Sequence, residues 1–451
     1  MSLFNLISEN FILPSSDFLL NRSIAKNFKF LEKSQWWSEN ELINYQDEKL
    51  KLLIQHAYNN VPYYKNLFKS NKLLPNDIKT QKDLHKLPIL TKDTIRTHFP
   101  HAIVAQNISK KQLIFQGSSG STGEPLHYYS TSDSYSMNIA AGLRGWYWMG
   151  YRLGDKFVKL SQNPRNSIVK KIQDKINRNH YLFAQQLTEA NFKRITESIN
   201  EFKPAIIRGY PDPLFFLAKY MKDNNIKSSS PKAITTTGNI IFPEARDLIE
   251  SQFGCKIFDA YSCEGGANVF ECPTHGCYHS TMEYAISEIL NNNGEEINPG
   301  ERGRLYTTDL YNYAVPFIRY DSHDIVTKSD RKCTCNRHLL AIDQIEGRDN
   351  DILITPSGKY LIVHNFTGFF QQNEITSVQQ FQIIQDKADH IVFKLVVTPN
   401  FTTSDEKKIL QYWSNYIGND VVIDLDCVAE IPITSSGKRR FIIRNPNIPL
   451  V

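Results

Sequence analysis

The 451-residue chain has no apolar run approaching the length of a bilayer, so a membrane-crossing helix is not expected. It has little net charge. Its 52 basic and 47 acidic residues leave +5, too dilute for a nucleic-acid-binding protein but no obstacle to an anionic small ligand. The first twenty residues lack the charged-then-apolar order of a secretion signal, being interrupted by Asn5, Glu9, Asn10 and Asp17, and the expected location is cytoplasmic. Cysteine is sparse. Its seven copies are expected as thiols or metal ligands rather than disulfides. Internal repeats and long low-complexity segments are missing too. What is present is an ordinary globular composition, 41% hydrophobic and 22% charged. The length suits roughly two to three domains.

Residues 1–60 read as mostly helical, with Leu50, Leu53, Ile54 and Ala57 at helical spacing, and Pro62-Tyr-Tyr breaks that pattern. From about 155 to 345, strand-like runs (157–160, 205–207, 233–237 and 256–258) alternate with helix-like stretches (192–202, 213–222 and 243–253). This alternation points to an α/β core with a largely parallel sheet. Residues 284–290 and 304–308 look antiparallel. After Gly347 come short strands at 351–355, 360–363, 377–384, 391–397 and 421–426, with a helix at 405–416. The expected fold is therefore a large α/β domain over 1–347 and a small α+β domain over 348–451.

The densest local signal is Gly117-Ser-Ser-Gly-Ser-Thr-Gly-Glu-Pro125, set between Leu113–Phe115 and a β-like run from Leu126. Glycines 117, 120 and 123 let successive N–H groups turn into a nest for an anion, and Ser118, Ser119, Ser121 and Thr122 add hydroxyl donors. The plain alternative is a flexible hairpin loop, because the Gly-Lys-Ser/Thr of a Walker loop is missing.

Further loops follow strand-like runs, where α/β folds place ligands. Gly238-Asn239 ends one run. Tyr261 and Glu264, followed by paired glycines, end the next: the ring can stack on a base and the carboxylate can hold Mg²⁺. Asp324 can accept from ribose hydroxyls, or simply cap a turn. Arg348, before Asp349 and Asn350, fits a hinge with a phosphate- or ribose-binding guanidinium, or a plain linker. Lys438 follows Gly437 in a basic turn near the C-terminus. Arg208 and Tyr210 either face an acyl pocket or pack.

Two knots of soft ligands stand apart: Cys272, His275, Cys277 and His279, then Cys333, Cys335 and His338. Together they suit a tetrahedral structural Zn²⁺, with Cys272, His279, Cys333 and Cys335 as the ligand set and His275 and Cys277 in reserve. Reduced loop thiols are the alternative.

In order along the chain, these segments resemble the adenylate-forming enzymes. Ser118–Pro125 matches the S-S-G-[ST]-T-G-x-P loop, Gly238-Asn239 the adenine-binding strand end, and Tyr261–Glu264 the aromatic-plus-acid motif. Arg319–Asp324 matches R-Y-x-x-G-D with His323 in the glycine place, Gly347–Asp351 the G-R-x-x-D hinge, and Gly437-Lys438 the terminal loop. Leu87-Pro-Ile-Leu-Thr-Lys92, Arg208-Gly-Tyr-Pro211 and the Cys/His knots are similar to the phenylacetate–CoA ligase branch, particularly its CapK-like members tied to capsular polysaccharide synthesis.

The resemblance implies a ligase that joins ATP and a carboxylic acid into an acyl-adenylate and passes the acyl group to a thiol, CoA included, or to an amine. It implies that the 117–123 loop and Mg²⁺ hold the phosphates, that Asp324 and Arg348 hold the ribose, and that Tyr261 packs on adenine. Lys438 would bridge carboxylate and ATP, and Asp349 or Asn350 would be the pivot of the small domain. An aryl- or acyl-CoA ligase, or a non-catalytic nucleotide-binding relative, are the alternatives.

Overall fold

A computed structural model describes residues 2–117, 126–161, 167–184, 188–241, 243–348, 352–357, 359–362, 366, 369, 375, 377–418, 420–432, 440–445 and 447–448. Helices come first: α1 (Leu3–Ile7), α2 (Leu13–Leu19), α3 (Ile24–Ser34), α4 (Glu39–Asn60), α5 (Pro62–Ser70) and α6 (Lys92–His98), with a π-turn over Ser8–Ile12 joining the first two. A reciprocal cap between Ser38 and Glu41 starts α4. Pro62 ends one helix and opens the next, because its missing N–H costs nothing in a first turn. Leu50, Leu53, Ile54 and Ala57 are all fully buried, as their spacing requires.

A hairpin of β1 (Ile114–Gly117) and β2 (His127–Ser130) precedes the long helix α7 (Ser132–Trp148). The central sheet has eleven strands in the order β10-β11-β12-β13-β9-β8-β7-β6-β5-β3-β4. They are β3 (Phe157–Ser161), β4 (Asn179–Phe183), β5 (Ile206–Gly209), β6 (Ala233–Thr237), β7 (Lys256–Ser262), β8 (Asn268–Glu271), β9 (Tyr278–Ser280), β10 (Ala285–Leu290), β11 (Arg302–Asp309), β12 (Tyr320–Lys328) and β13 (Ala341–Arg348). β3 to β7 are parallel, joined through α8 (Ile168–Ile176), α9 (Glu189–Phe202), α10 (Pro211–Asp223) and α11 (Pro243–Phe253). The rest are antiparallel. The sheet is thus mixed, parallel where helices link the strands and antiparallel at 285–290 and 302–309 as expected: beyond β7 the links carry no helix, and parallel pairing needs a long crossover.

Alternation along the parallel strands feeds two cores. Val158, Ile207, Ile234 and Ile257 pack under α9, α10 and α11. Phe157, Ile206 and Ala233 face Leu143 of α7 and Met149 just beyond it. A buried ion pair ties α7 down. Arg144 Nη1 lies 2.8 Å from Glu283 Oε1, which also accepts from Ser34 Oγ at 2.6 Å.

The C-terminal part forms a separate sheet domain in the order β18-β17-β16-β19, preceded by a hairpin of β14 (Ile352–Ile354) and β15 (Tyr360–Ile362). Its strands are β16 (Val378–Lys387), β17 (His390–Val397), β18 (Val422–Cys427) and β19 (Ile442–Arg444). Helix α12 (Thr403–Ile417) covers it, with Trp413 stacked 4.5 Å from Phe366 in a core that includes Phe393 and Ile442.

Candidate active site and metal centre

The antiparallel half of the sheet curls until strands far apart in hydrogen-bond order meet. Its concave core holds Val269, Ile289, Leu305, Val326 and Ile342. At its rim the Tyr261 hydroxyl on β7 donates to Asp324 Oδ2 on β12 at 2.5 Å. Burial, reinforced by the Asp324 charge, raises the Tyr261 hydroxyl well above its ordinary pKa, so it stays a donor at neutral pH.

The turn under Asp324 is built in advance. His323, where the related motif has glycine, takes φ +61°, and its N–H is held by Asp321 Oδ1 at 2.8 Å. Asp321 is in turn paired with Arg304 at 3.1 Å. Histidine thus keeps the left-handed turn that glycine adopts freely. Arg319 points away from the turn, into Glu288 and the Leu87 carbonyl. Leu90 brackets the same strand entry, donating to the Arg319 carbonyl at 3.0 Å and accepting from the Asp321 N–H at 2.9 Å.

Arg348 stands opposite Asp324 in the β12–β13 register, which places its backbone beside the carboxylate. Its side chain, together with Ser118, Ser119, Gly120, Ser121, Thr122, Gly123, Asp349, Asn350 and Lys438, lies outside the described residues.

Glu264 follows β7 and is partly exposed, with no hydrogen bond or ion pair among the described residues. Its neighbour is Tyr128 of β2, whose hydroxyl is pushed up first by burial and then by the charges of Glu264 and Asp309. The strand leaving the glycine loop is thereby brought to the acid.

The paired glycines explain themselves here. A Cβ on Gly265 would meet Thr307 Oγ1 at 2.0 Å, and Gly266 sits at φ +88° against Asp309. Asp309 is buried and accepts from the N–H groups of Tyr311 and Asn312, yet burial still raises its carboxyl to about 6. Tyr128, Thr307 and Asp309 escape sequence reasoning. Only the spacing of Asp309 from Asn312 hints at a side-chain-capped turn.

Gly238 takes φ +85° at the end of β6, and Asn239 Nδ2 reaches Asp212 in the first turn of α10 at 3.2 Å. Arg208 lies in register with Lys159 and Thr235 on neighbouring strands, its guanidinium 5.6 Å from the Trp146 ring. Burial lowers its pKa, offset by Tyr210 and Tyr181. Tyr210 precedes Pro211 as the N-cap of α10.

The soft-ligand knots converge on the other side of β8 and β9. Pairing of β9 with β13 draws the two together. The ligand atoms of Cys272, His279, Cys333 and Cys335 all lie within 4.8 Å of one another. Cys272 Sγ is 3.4 Å from Cys333 Sγ, and His279 Nε2 is 3.2 Å from Cys335 Sγ. With metal–sulfur bonds of about 2.3 Å, such spacings fit one tetrahedral ion. Cys277 stands 3.8 Å from His279 Nε2, outside this quartet, and His275 turns to Glu271 at 3.0 Å.

The CapK C-terminal domain family matches residues 353–445. Protein CapK of Staphylococcus aureus is 26% identical over 419 residues, covering 90% of each chain. Phenylacetate-coenzyme A ligase of Aromatoleum evansii is 27% identical over 347 residues, covering 72% of this chain and 74% of its own. In fold, the chain is similar to 2-hydroxyisobutyryl-CoA ligase in its postadenylation state, with a TM-score of 0.73, 17% identity and 92% of each chain covered. The chain thus carries a CapK C-terminal domain, is similar along most of its length to CapK and to the phenylacetate–coenzyme A ligases, and shares the fold of an acyl-CoA ligase.

Proposed function

We propose that the protein is an ATP-dependent carboxylate ligase. It forms an acyl-adenylate with release of pyrophosphate and then transfers the acyl group to a thiol or an amine. The observation that supports this reading is the Tyr261–Asp324 contact across the curled sheet, with Glu264 just beyond the strand that carries Tyr261 and its charge felt by Tyr128 in the hairpin flanking the glycine loop. A carboxylate is a poor acyl donor because oxide would have to leave. Attack on the α-phosphate builds negative charge, which fixed cations and N–H donors stabilise most in the transition state.

In this reading Asp324 accepts from the ribose hydroxyls, Arg348 supports them, and Tyr261 and Gly238-Asn239 flank the adenine. Residues 118–123 donate to the β- and γ-phosphates. Glu264 offers a carboxylate without a described partner, which suits Mg²⁺; that ion would offset phosphate charge. Lys438 bridges the acid and ATP, and the small domain, from about residue 348, pivots at Asp349 or Asn350. Arg208 and Tyr210 line the acyl end, where a guanidinium favours a polar or acidic acid.

The quartet Cys272, His279, Cys333 and Cys335 would hold a structural Zn²⁺, since four protein donors leave no position open for chemistry. On the resemblance to CapK-like members tied to capsular polysaccharide synthesis, the reading extends to capsule or surface-glycan tailoring in the cytoplasm, and the similarity to phenylacetate-coenzyme A ligases makes CoA one candidate acceptor. ATP–pyrophosphate exchange over a panel of carboxylic acids tests the reading. Exchange that depends on one class of acid supports it, and none with any acid, while ATP still binds, makes the chain a nucleotide-binding relative without ligase activity.

A further inference from the structure

More than half of the exposed large apolar side chains among the described residues sit on two segments: the N-terminal helical run and α8. On the first, Leu3 is 74% exposed, Phe11 68%, Phe18 87% and Leu19 79%. The opposite face of that run is pinned to the protein. Asn5 donates to the Leu153 carbonyl at 2.8 Å, Tyr147 donates to Glu9 at 2.5 Å, and Phe4 and Ser8 press on Gly154. The outward face is therefore held outward, and its exposure is not fraying.

Helix α8 likewise exposes an apolar stripe. Ile168, Ile172 and Ile176 recur every fourth residue, forming one stripe, and all three are exposed. Asp174, on the far side of the helix, is buried instead. Beneath α8, against β4, lies a cleft of about 590 Å³ lined by Lys171, Asp174, Lys175 and Arg178 among others. An amphipathic helix on a sheet normally buries its apolar stripe. This one presents it to the outside, buries Asp174 beneath and leaves Lys171 and Lys175 exposed at the mouth of the cleft, flanking the stripe. The two segments are linked, since the Arg178 guanidinium lies 5.3 Å from the Phe4 ring.

We infer that these two helical segments form a membrane-surface docking face for anionic phospholipid. The chemistry favours a lipid surface over a second copy of the chain. Lys171 and Lys175 are exposed on α8, and Lys175 falls within the turn spanned by Ile172 and Ile176. Charges at the centre of a homodimer would face one another, and such interface centres are depleted of charge. At a bilayer the same lysines meet phosphate headgroups while the isoleucines, leucines and phenylalanines enter the acyl boundary. No described helix is long and apolar enough to cross a membrane.

Co-sedimentation of the full chain with lipid vesicles tests this. The protein is expected to pellet with phosphatidylcholine vesicles containing phosphatidylglycerol, about tenfold more than with phosphatidylcholine alone, and to be released by salt. Ile172→Glu with Ile176→Glu, and separately Phe11→Ser with Phe18→Ser, are expected to lower the bound fraction about tenfold while leaving the melting temperature unchanged. Failure to pellet with either vesicle overturns the inference, as does binding that survives both pairs of substitutions. So does a dimer in sedimentation velocity that the same substitutions dissociate.

Discussion

The Tyr261 hydroxyl and the Asp324 carboxylate, 63 residues apart in sequence, meet at 2.5 Å across a curled sheet in which their strands are not neighbours. The contact aims the carboxylate that the proposed reading assigns to the ribose. Tyr261→Phe removes one hydrogen bond and is expected to raise the KM for ATP roughly threefold to tenfold with little change in kcat. Asp324→Asn is expected to raise it more than tenfold. Pyrophosphate-exchange kinetics at varied ATP give both values, and an unchanged KM in Asp324→Asn removes this residue from the nucleotide site.

Lys438→Ala is expected to cut adenylate formation by at least about a hundredfold, because a cation at the developing negative charge acts mainly in the transition state. The variant should melt with the wild type. Undiminished exchange in it would show that some other group bridges acid and ATP.

Metal content by mass spectrometry is expected at about one zinc per chain. Chelation, or Cys272→Ser, should lower the melting temperature by several degrees, since bringing three thiols and an imidazole within 4.8 Å is unfavourable without a cation. A metal-free sample that melts with the loaded one rules out a structural ion.

Arg144 and Glu283 are both fully buried at 2.8 Å. Glu283→Gln leaves a guanidinium without its counter-charge and is expected to cost about 3–5 kcal/mol in urea unfolding. Replacing both with apolar residues of similar size should cost much less, which separates loss of the pair from loss of packing.

Asp309 carries a pH dependence of unusual sign. Its folded carboxyl is raised from 3.8 to about 6 by burial, so the folded state binds more protons between those values. Its contribution to stability is complete below the unfolded value and declines as pH rises through about 6, by about 3 kcal/mol in all. Asp309→Asn should flatten that part of the profile. Urea midpoints at acid and neutral pH measure it, and equal slopes in the two proteins would contradict the assignment.

Much of the parallel half was legible because its strands are short apolar runs bounded by turns, as at residues 157–160 and 233–237. β4 was hidden: Asn179 and His180 give an edge strand a polar opening. The curl was also hidden, because β8 and β9 are short and carry the knot residues Cys272, Cys277 and His279 on or beside them. Nothing local announces that Tyr261 will reach Asp324 or that Gly265 must clear Thr307. Both depend on strands that come together only after the sheet bends. The sequence puts His279 in the ligand set and His275 in reserve, without a local signal that fixes the choice. The backbone separates them, with His275 at φ +55° and aimed at Glu271.

Leu90 donates to Arg319 and accepts from Asp321, while Leu87 receives the Arg319 guanidinium. The amides of Leu90 and Asp321 are consequently locked by the same two-way clasp, and solvent deuterium should enter both in one opening event. Loosening the segment before α6 therefore loosens the entry to the Asp324 turn, so if that turn holds the ribose as proposed, slow breathing of the helical N-terminal region would register as a changing off-rate for nucleotide.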